Sequence, residues 1–386
     1  MAAVPPAPAE PPAADAPAAP AAPAAPIAPV DPVAVAVQPA AGGSSAAVAS
    51  PVMEELSARA AGENFPVALR VLPRRYRRRL MAVYRFARFV DDIGDEPAAP
   101  AAVTPAGGLQ GKPTPGGPGE PPPRGGGLPG DHQDRLRALD AVERDLDRAF
   151  GEGRTPAFPV IGELALAAAE CGIPAEPFRM LIQANRQDQT VSRYATFADL
   201  LAYCELSANP VGRIVLHVFG VATPERERLS DLVCTALQLA EHWQDVAEDL
   251  ARGRVYLPQE DMAAFGCTER DLQQAPGPGS RPAAGAGYVA PVCLRELMRF
   301  ETERAGRLLD EGAALTGTLR GWARLAVAGY VAGGRATLAA IAAAGAGGAP
   351  GGVRGGPDGF DVLAMTPRPG RARTAAGLIR AYLTGR

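Results

Sequence analysis

Proline and glycine fall in blocks along this chain, and that distribution constrains its fold more than any other feature. Of 386 residues, 44 are Gly and 40 are Pro, concentrated with alanine in 1–52, 97–130, 274–287 and 345–357. Segments of this kind bury too little apolar side chain to offset the entropy lost on ordering. Without them about 270 residues remain, enough for one large domain, whereas length alone suggests two or three. The expectation is a disordered Ala/Pro-rich leader over 1–52 and one domain over 53–386, with flexible insertions near 97–130, 274–287 and 345–357. The insertions fall between predicted helices, where added length costs little closure entropy.

Between the blocks the apolar repeat is close to helical and β-branched alternation is sparse, which predicts an all-α domain of eight to ten helices. Segments 75–94, 132–150, 159–170, 175–191, 197–219, 225–251, 291–316, 319–344 and 372–384 carry the pattern. Thr196, and Thr223 ahead of Pro224, stand where helix caps belong. The longest helices would span ~40 Å, a depth that suits a bundle around a central cavity holding a long apolar ligand.

Aromatic residues make up only 5% of the chain and the net charge is −3, which argues against a nucleic-acid partner. Lys112 is the single lysine, so anion recognition rests on arginine. The first basic residue is Arg59, and no charged n-region of a secretory signal precedes it. The most apolar run, Leu325 to Ala344, is broken by Gly329, Gly333, Gly334 and Arg335 and reads as a buried helix rather than a span. Cys171, Cys204, Cys234, Cys267 and Cys293 lack zinc-site spacing and read as reduced core thiols. Together these place the protein in the cytoplasm, with peripheral, transient membrane contact the nearest approach to a bilayer. The Arg74, Arg75, Arg77, Arg78 and Arg79 cluster reads as a solvated helix start, with a phosphate or anionic-lipid surface contact as the alternative.

Two acidic patterns stand out. Asp91 and Asp95 are four apart, with Asp92 beside them and Tyr84 and Arg88 on the same helical stripe. Glu241, Asp245 and Asp249 form a second column at i, i+4, i+8. An acidic i, i+4 pair alone is commonly a solvated face, but like charges so stacked destabilise a helix. Here the neighbours Phe86, Phe89, Val90, Leu239, Trp243 and Val246 are apolar, and no Lys or Arg lies between 245 and 249. Carboxylates in such surroundings need a counter-ion. Mg²⁺ suits them, taking one or two carboxylates and filling its shell with water and phosphate oxygens. Two such columns facing a diphosphate would favour heterolysis of an allylic or cyclopropylcarbinyl C–O bond. A deep apolar pocket would shield the cation, and the rings of Phe65, Tyr84 or Tyr203 could stabilise it.

The order of motifs resembles the squalene/phytoene synthase family. The resemblance rests on Asn64-Phe65-Pro66, Tyr84 to Glu96, Tyr203 to Arg213, Leu237 to Asp249, Gly253 to Pro258 and Gly359 to Leu363. It implies an isoprenoid synthase fold in which Asp91, Asp92, Asp95, Asp245 and Asp249 bind Mg²⁺, and Asp91, Asp95, Asp245, Asp249 and Tyr203 serve catalysis. Phe65, Tyr84, Arg88, Ser207, Val211, Gly212, Arg254 and Tyr256 fall at substrate-binding positions, and Ser207 to Gly212 matches a helix break beside the pocket. Asn64-Phe65-Pro66, Trp243-Gln244-Asp245 and Asp361-Val362-Leu363 look most like the hydroxysqualene synthase branch. That implies presqualene diphosphate as substrate, hydroxysqualene as product, and functional partnership with a presqualene diphosphate synthase and a flavin-dependent hydroxysqualene reductase. Alternatives are presqualene diphosphate, squalene or phytoene synthesis from two prenyl diphosphates, a terpene cyclase of the same fold, and a non-catalytic lipid-binding helical protein. One departure is Glu241, where the family commonly has Asn. Of His132, His217 and His242, only His242 lies beside a motif.

Overall fold

The computed structural model describes residues 72–95, 129–152, 155–273, 290–344, 359–363, 366–368 and 371–385. Among them are fourteen α-helices. α1 (Arg74–Asp95), α2 (Pro129–Asp147), α3 (Pro159–Cys171), α4 (Glu176–Gln187), α5 (Phe197–Ser207), α6 (Asn209–Val218) and α7 (Pro224–Gln244) form the first half. α8 (Val246–Ala251), α9 (Gln259–Ala264), α10 (Glu269–Gln273), α11 (Val292–Gly312), α12 (Leu315–Thr318), α13 (Gly321–Ala343) and α14 (Arg371–Thr384) complete it. A π-helical turn, Arg148–Glu152, continues α2. The only extended pairing among the described residues is an isolated parallel bridge between Arg193 and Val255. The expected leader, Phe65 and most of each insertion lie outside the described residues, although α2 begins at Pro129, inside the expected 97–130 break.

Helix starts follow local chemistry. Thr196 accepts from the Asp199 amide while Asp199 reaches back to the Thr196 amide, a complete capping box. Thr223 caps α7 by accepting from the Arg226 amide. The count exceeds the sequence expectation because two long periodic segments are each broken in two and the short helices α9, α10 and α12 add three more. Segment 197–219 breaks at Ala208, ahead of Pro210, whose ring suits a helix start but not an interior. Segment 225–251 breaks at Asp245.

Two apolar cores result. In the first, Leu80, Val83, Phe86 and Val90 of α1 recur at helical spacing and pack with Leu139, Ile161, Phe178 and Ile182. Phe86 meets Phe178 edge-on at 5.5 Å, and full burial of such a ring stabilises by roughly 1.5–3 kcal/mol. The second gathers Leu200, Leu239, Trp243, Leu297, Leu309, Val331 and Val362 around α7, α11 and α13. α4 and α6 contribute to both, through Ile182 and Ala184 and through Ile214 and Leu216. Close approaches are set by small residues: a side chain at Gly334 of α13 would run into Leu237 and Leu309.

α13 is long and apolar enough to cross a membrane by length and composition, despite the interruptions in its sequence, and half of its most apolar window is buried. Residues Asp361 to Leu363 are buried and tied to the end of α13 by the Asp361 amide donating to Ala344 O at 3.0 Å. Phe360, Val362 and Leu363 therefore belong to the second core.

Candidate active site

Where the two cores meet, α1, α4, α5, α7 and α8 enclose a cavity of about 270 Å³ lined by both acidic motifs. Asp91 reaches it from α1, and Glu241, Asp245 and Asp249 reach it from the opposite wall.

Asp91 is oriented by Asn185 of α4, whose amide donates to its Oδ1 at 3.0 Å and to Leu181 O at 3.2 Å. The end of α1 is clamped as well, with Gln189 and Arg135 donating to Gly94 O at 3.0 and 3.1 Å. Gly94 leaves no room for a side chain, because a Cβ there would collide with the Asn185 carboxamide.

The second motif is not the continuous column its spacing predicts. α7 ends at Gln244, Asp245 takes φ −105° and ψ 17°, and α8 restarts at Val246. The chain stays hydrogen bonded through the bend, the Asp245 amide donating to Glu241 O and the Asp249 amide to Asp245 O, both at 2.9 Å. All three carboxylates still face the cavity. Burial, then the Asp245 charge, pushes the Asp249 carboxyl up to about 7, with Glu241 adding to the same effect. Burial and then Glu248 raise Asp245.

The remaining wall is aromatic. His242 stacks on Tyr256 with ring centres 3.7 Å apart, and Tyr194 and Tyr203 lie 5.7 and 5.9 Å from Tyr256. The Tyr203 hydroxyl donates to Asp188 Oδ2 at 2.9 Å. Burial, reinforced by Asp188, lifts Tyr203 and Tyr256 well above the usual phenol range. Burial and the Arg254 charge push His242 down to about 3, so its ring is neutral. Gln238 lies 3.2 Å from His242 Nε2.

Thus Asp91, Tyr203, Ser207, Asp245, Asp249, Arg254 and Tyr256 converge as site residues. Tyr84, Arg88, Asp92, Val211 and Gly212 do not line this cavity. Tyr84 is buried in α1, and Arg88 and Asp92 lie 3.7 Å apart as an ion pair about 30% exposed. Gly212 instead lets α6 approach α7, where a side chain would overlap Ser230 and Cys234. Phe65 and the Asp95 side chain lie outside the described residues, although the Asp95 backbone closes α1. Asn185, Asp188, Gln238 and Arg252 were missed. Gln238 continues the spacing of 241, 245 and 249 and was detectable on that ground; nothing local to α4 marks Asn185 or Asp188.

The donor set fits hard cations. Asp91 on one wall and Asp245 and Asp249 on the other offer oxygen ligands, and Asp249 is pushed up first by burial and then by the neighbouring Asp245 charge. Among the described residues no group of three His, Cys, Asp or Glu is arranged to hold an ion alone. Ions using one or two carboxylates and completing their shell with water and phosphate oxygens match that arrangement.

The squalene/phytoene synthase family model matches residues 58–354. Over 259 residues, 67% of this chain, there is 34% identity to the hydroxysqualene synthase of Rhodopseudomonas palustris, covering 72% of that protein. Over an equal length the phytoene synthase of Mycobacterium tuberculosis is 27% identical, with 70% of it covered. The crystal structure of squalene synthase HpnC from Alicyclobacillus acidocaldarius is similar with a TM-score of 0.57 and 36% identity, over 75% of this chain and 92% of that one. The fold, the facing acidic motifs and these matches lead to one conclusion: the chain belongs to the squalene/phytoene synthase family, enzymes of the isoprenoid synthase fold that process prenyl diphosphates.

Proposed function

We propose that this enzyme converts presqualene diphosphate and one water to hydroxysqualene and diphosphate in a Mg²⁺-dependent reaction, a step toward squalene and hopanoids. The C–O bond to diphosphate breaks, and water adds to the rearranged cation with loss of a proton. The observation that carries the reading is the single cavity uniting Asp91 with Asp245 and Asp249 beneath an aromatic wall. Over matched stretches of 259 residues the identity is 34% to a hydroxysqualene synthase and 27% to a phytoene synthase, which supports the choice within the family. Asp91 on one side, and Asp245 and Asp249 on the other, would hold Mg²⁺. When bound, the ions would neutralise charge on the departing diphosphate. Arg252 and Arg254 bring guanidinium groups to the same cavity, suited to paired bonds with phosphate oxygens. Tyr203, Tyr256 and the neutral His242 line the cavity and would limit access of bulk water, and His242 adds no positive charge beside a developing carbocation.

On this reading a presqualene diphosphate synthase supplies the substrate and a flavin-dependent reductase consumes the product. The test incubates purified protein and Mg²⁺ with presqualene diphosphate or farnesyl diphosphate and identifies products by mass spectrometry. Hydroxysqualene from the first alone is expected. Presqualene diphosphate or squalene formed from farnesyl diphosphate would overturn the assignment in favour of a condensing enzyme.

A further inference from the structure

α14 runs antiparallel along α13, with Gly377 against Ala332, and its far end is pinned where α13 begins. There Arg324 donates to Leu383 O at 3.3 Å, its guanidinium lies 5.3 Å from the Tyr382 ring centre, and Gly385 abuts Gly317. The outer face of α14 is a stripe at helical spacing: Ala375 and Ala376, then Ile379, then Tyr382 and Leu383. Ile379 is 61% exposed, Leu383 72% and Tyr382 39%, and Trp322 at the start of α13 joins the same end at 38%. These four are among the six large apolar side chains exposed among the described residues.

The segments that build this end carry no side-chain carboxylate. Residues 312–344 and 362–386 contain no Asp or Glu, although the chain as a whole carries −3. Arg320 and Arg380 are exposed beside the stripe. Trp and Tyr with aliphatic side chains and a basic border are what a helix lying in a bilayer interface presents. A second copy of the chain would bring arginines against arginines, which disfavours self-association through this face.

We infer that the α14 stripe, with Trp322, docks on the surface of an anionic phospholipid bilayer. The face stands on its own residues and does not depend on the reaction proposed above. Arginine supplies the attraction to headgroups, and Ile379, Tyr382 and Leu383 supply the insertion.

The full chain would be sedimented with vesicles of phosphatidylcholine, with and without phosphatidylglycerol, while tryptophan emission is followed. Trp243 is fully buried, so a blue shift reports Trp322. Binding to the anionic vesicles alone, weakened by salt and accompanied by that shift, is expected. Arg320→Glu with Arg380→Glu should lower partitioning by roughly fivefold or more for each residue. Ile379→Ser with Leu383→Ser should abolish the shift, and Arg74→Glu with Arg77→Glu should change little. Equal binding to neutral vesicles, loss only on changing Arg74 and Arg77, or wild-type binding by the α14 variants would overturn the inference. So would vesicle-independent dimerisation, seen by analytical ultracentrifugation, that Ile379→Ser with Leu383→Ser removes.

Discussion

Asp91→Asn and Asp245→Asn keep side-chain volume and remove only charge, so they separate chemistry from packing. Each is expected to lower diphosphate release by on the order of 10³-fold while leaving the fold intact by circular dichroism. Undiminished release would exclude the metal-assisted reading. Glu301, fully buried on α11, tests electrostatics away from the site. Burial pushes its carboxyl up to about 8 from an ordinary 4.5, Arg304 opposes this, and Asp261 reinforces it. Below about 4.5 folded and unfolded chains both carry the proton; between 4.5 and 8 only the folded chain keeps it; above 8 neither does. This group's contribution therefore falls as pH rises through that window and then levels off. Glu301→Gln should remove that decline, measured as a denaturation midpoint whose gap from wild type widens between pH 5 and pH 8. A gap independent of pH would show that Glu301 is ionised throughout. The Asp261–Arg304 pair beside it, with Arg304 seated over Phe197 and Phe300 at 4.0 and 4.3 Å, was not legible in the sequence, because its members come from distant segments.

The element that most needs bracing is the loop from Gly253 to Pro258, which carries Arg254 and Tyr256 into the cavity. Arg193 braces it, donating to Gly253 O and to both oxygens of Glu269, while the Val255 amide donates to Ser192 O at 2.9 Å. Arg193→Ala should lower kcat/KM at least about tenfold and cost about 1–2 kcal/mol of stability. Arg193→Lys should restore stability more than activity, since a single ammonium cannot span Gly253 and Glu269 together. Equal recovery of both would reduce Arg193 to a merely structural part. Helix spacing is tested at Gly334, where Gly334→Leu should cost at least about 1–3 kcal/mol by forcing α13 from α7 and α11, read as a lowered denaturation midpoint. The break at Asp245 is the clearest element-scale departure from sequence. Gln244, Asp245 and Val246 contain no Pro or Gly, so nothing local announces it. Contacts beyond the helix accompany it, among them Thr366 donating to Glu248 at 2.9 Å.

For the whole molecule, ligands that join the two walls should stabilise both cores together. Mg²⁺ with inorganic diphosphate at about a hundred times its dissociation constant is expected to add about 2.7 kcal/mol, seen as a raised melting temperature. Asp91→Asn should abolish the shift, and a shift retained in that variant would place the ions elsewhere. By itself the sequence determined the helical class, the caps at Thr196 and Thr223, and the two acidic motifs, because periodicity, capping and i, i+4 spacing are local. It also carried the family resemblance, which rests on the order of motifs. Only the tertiary structure decided that Asn185 orients Asp91 from 94 residues away. It also decided that Asp188 holds Tyr203, and that Gly212 serves helix packing rather than the cavity wall. Those outcomes depend on how helices from two cores are set against one another, and no local spacing encodes that arrangement.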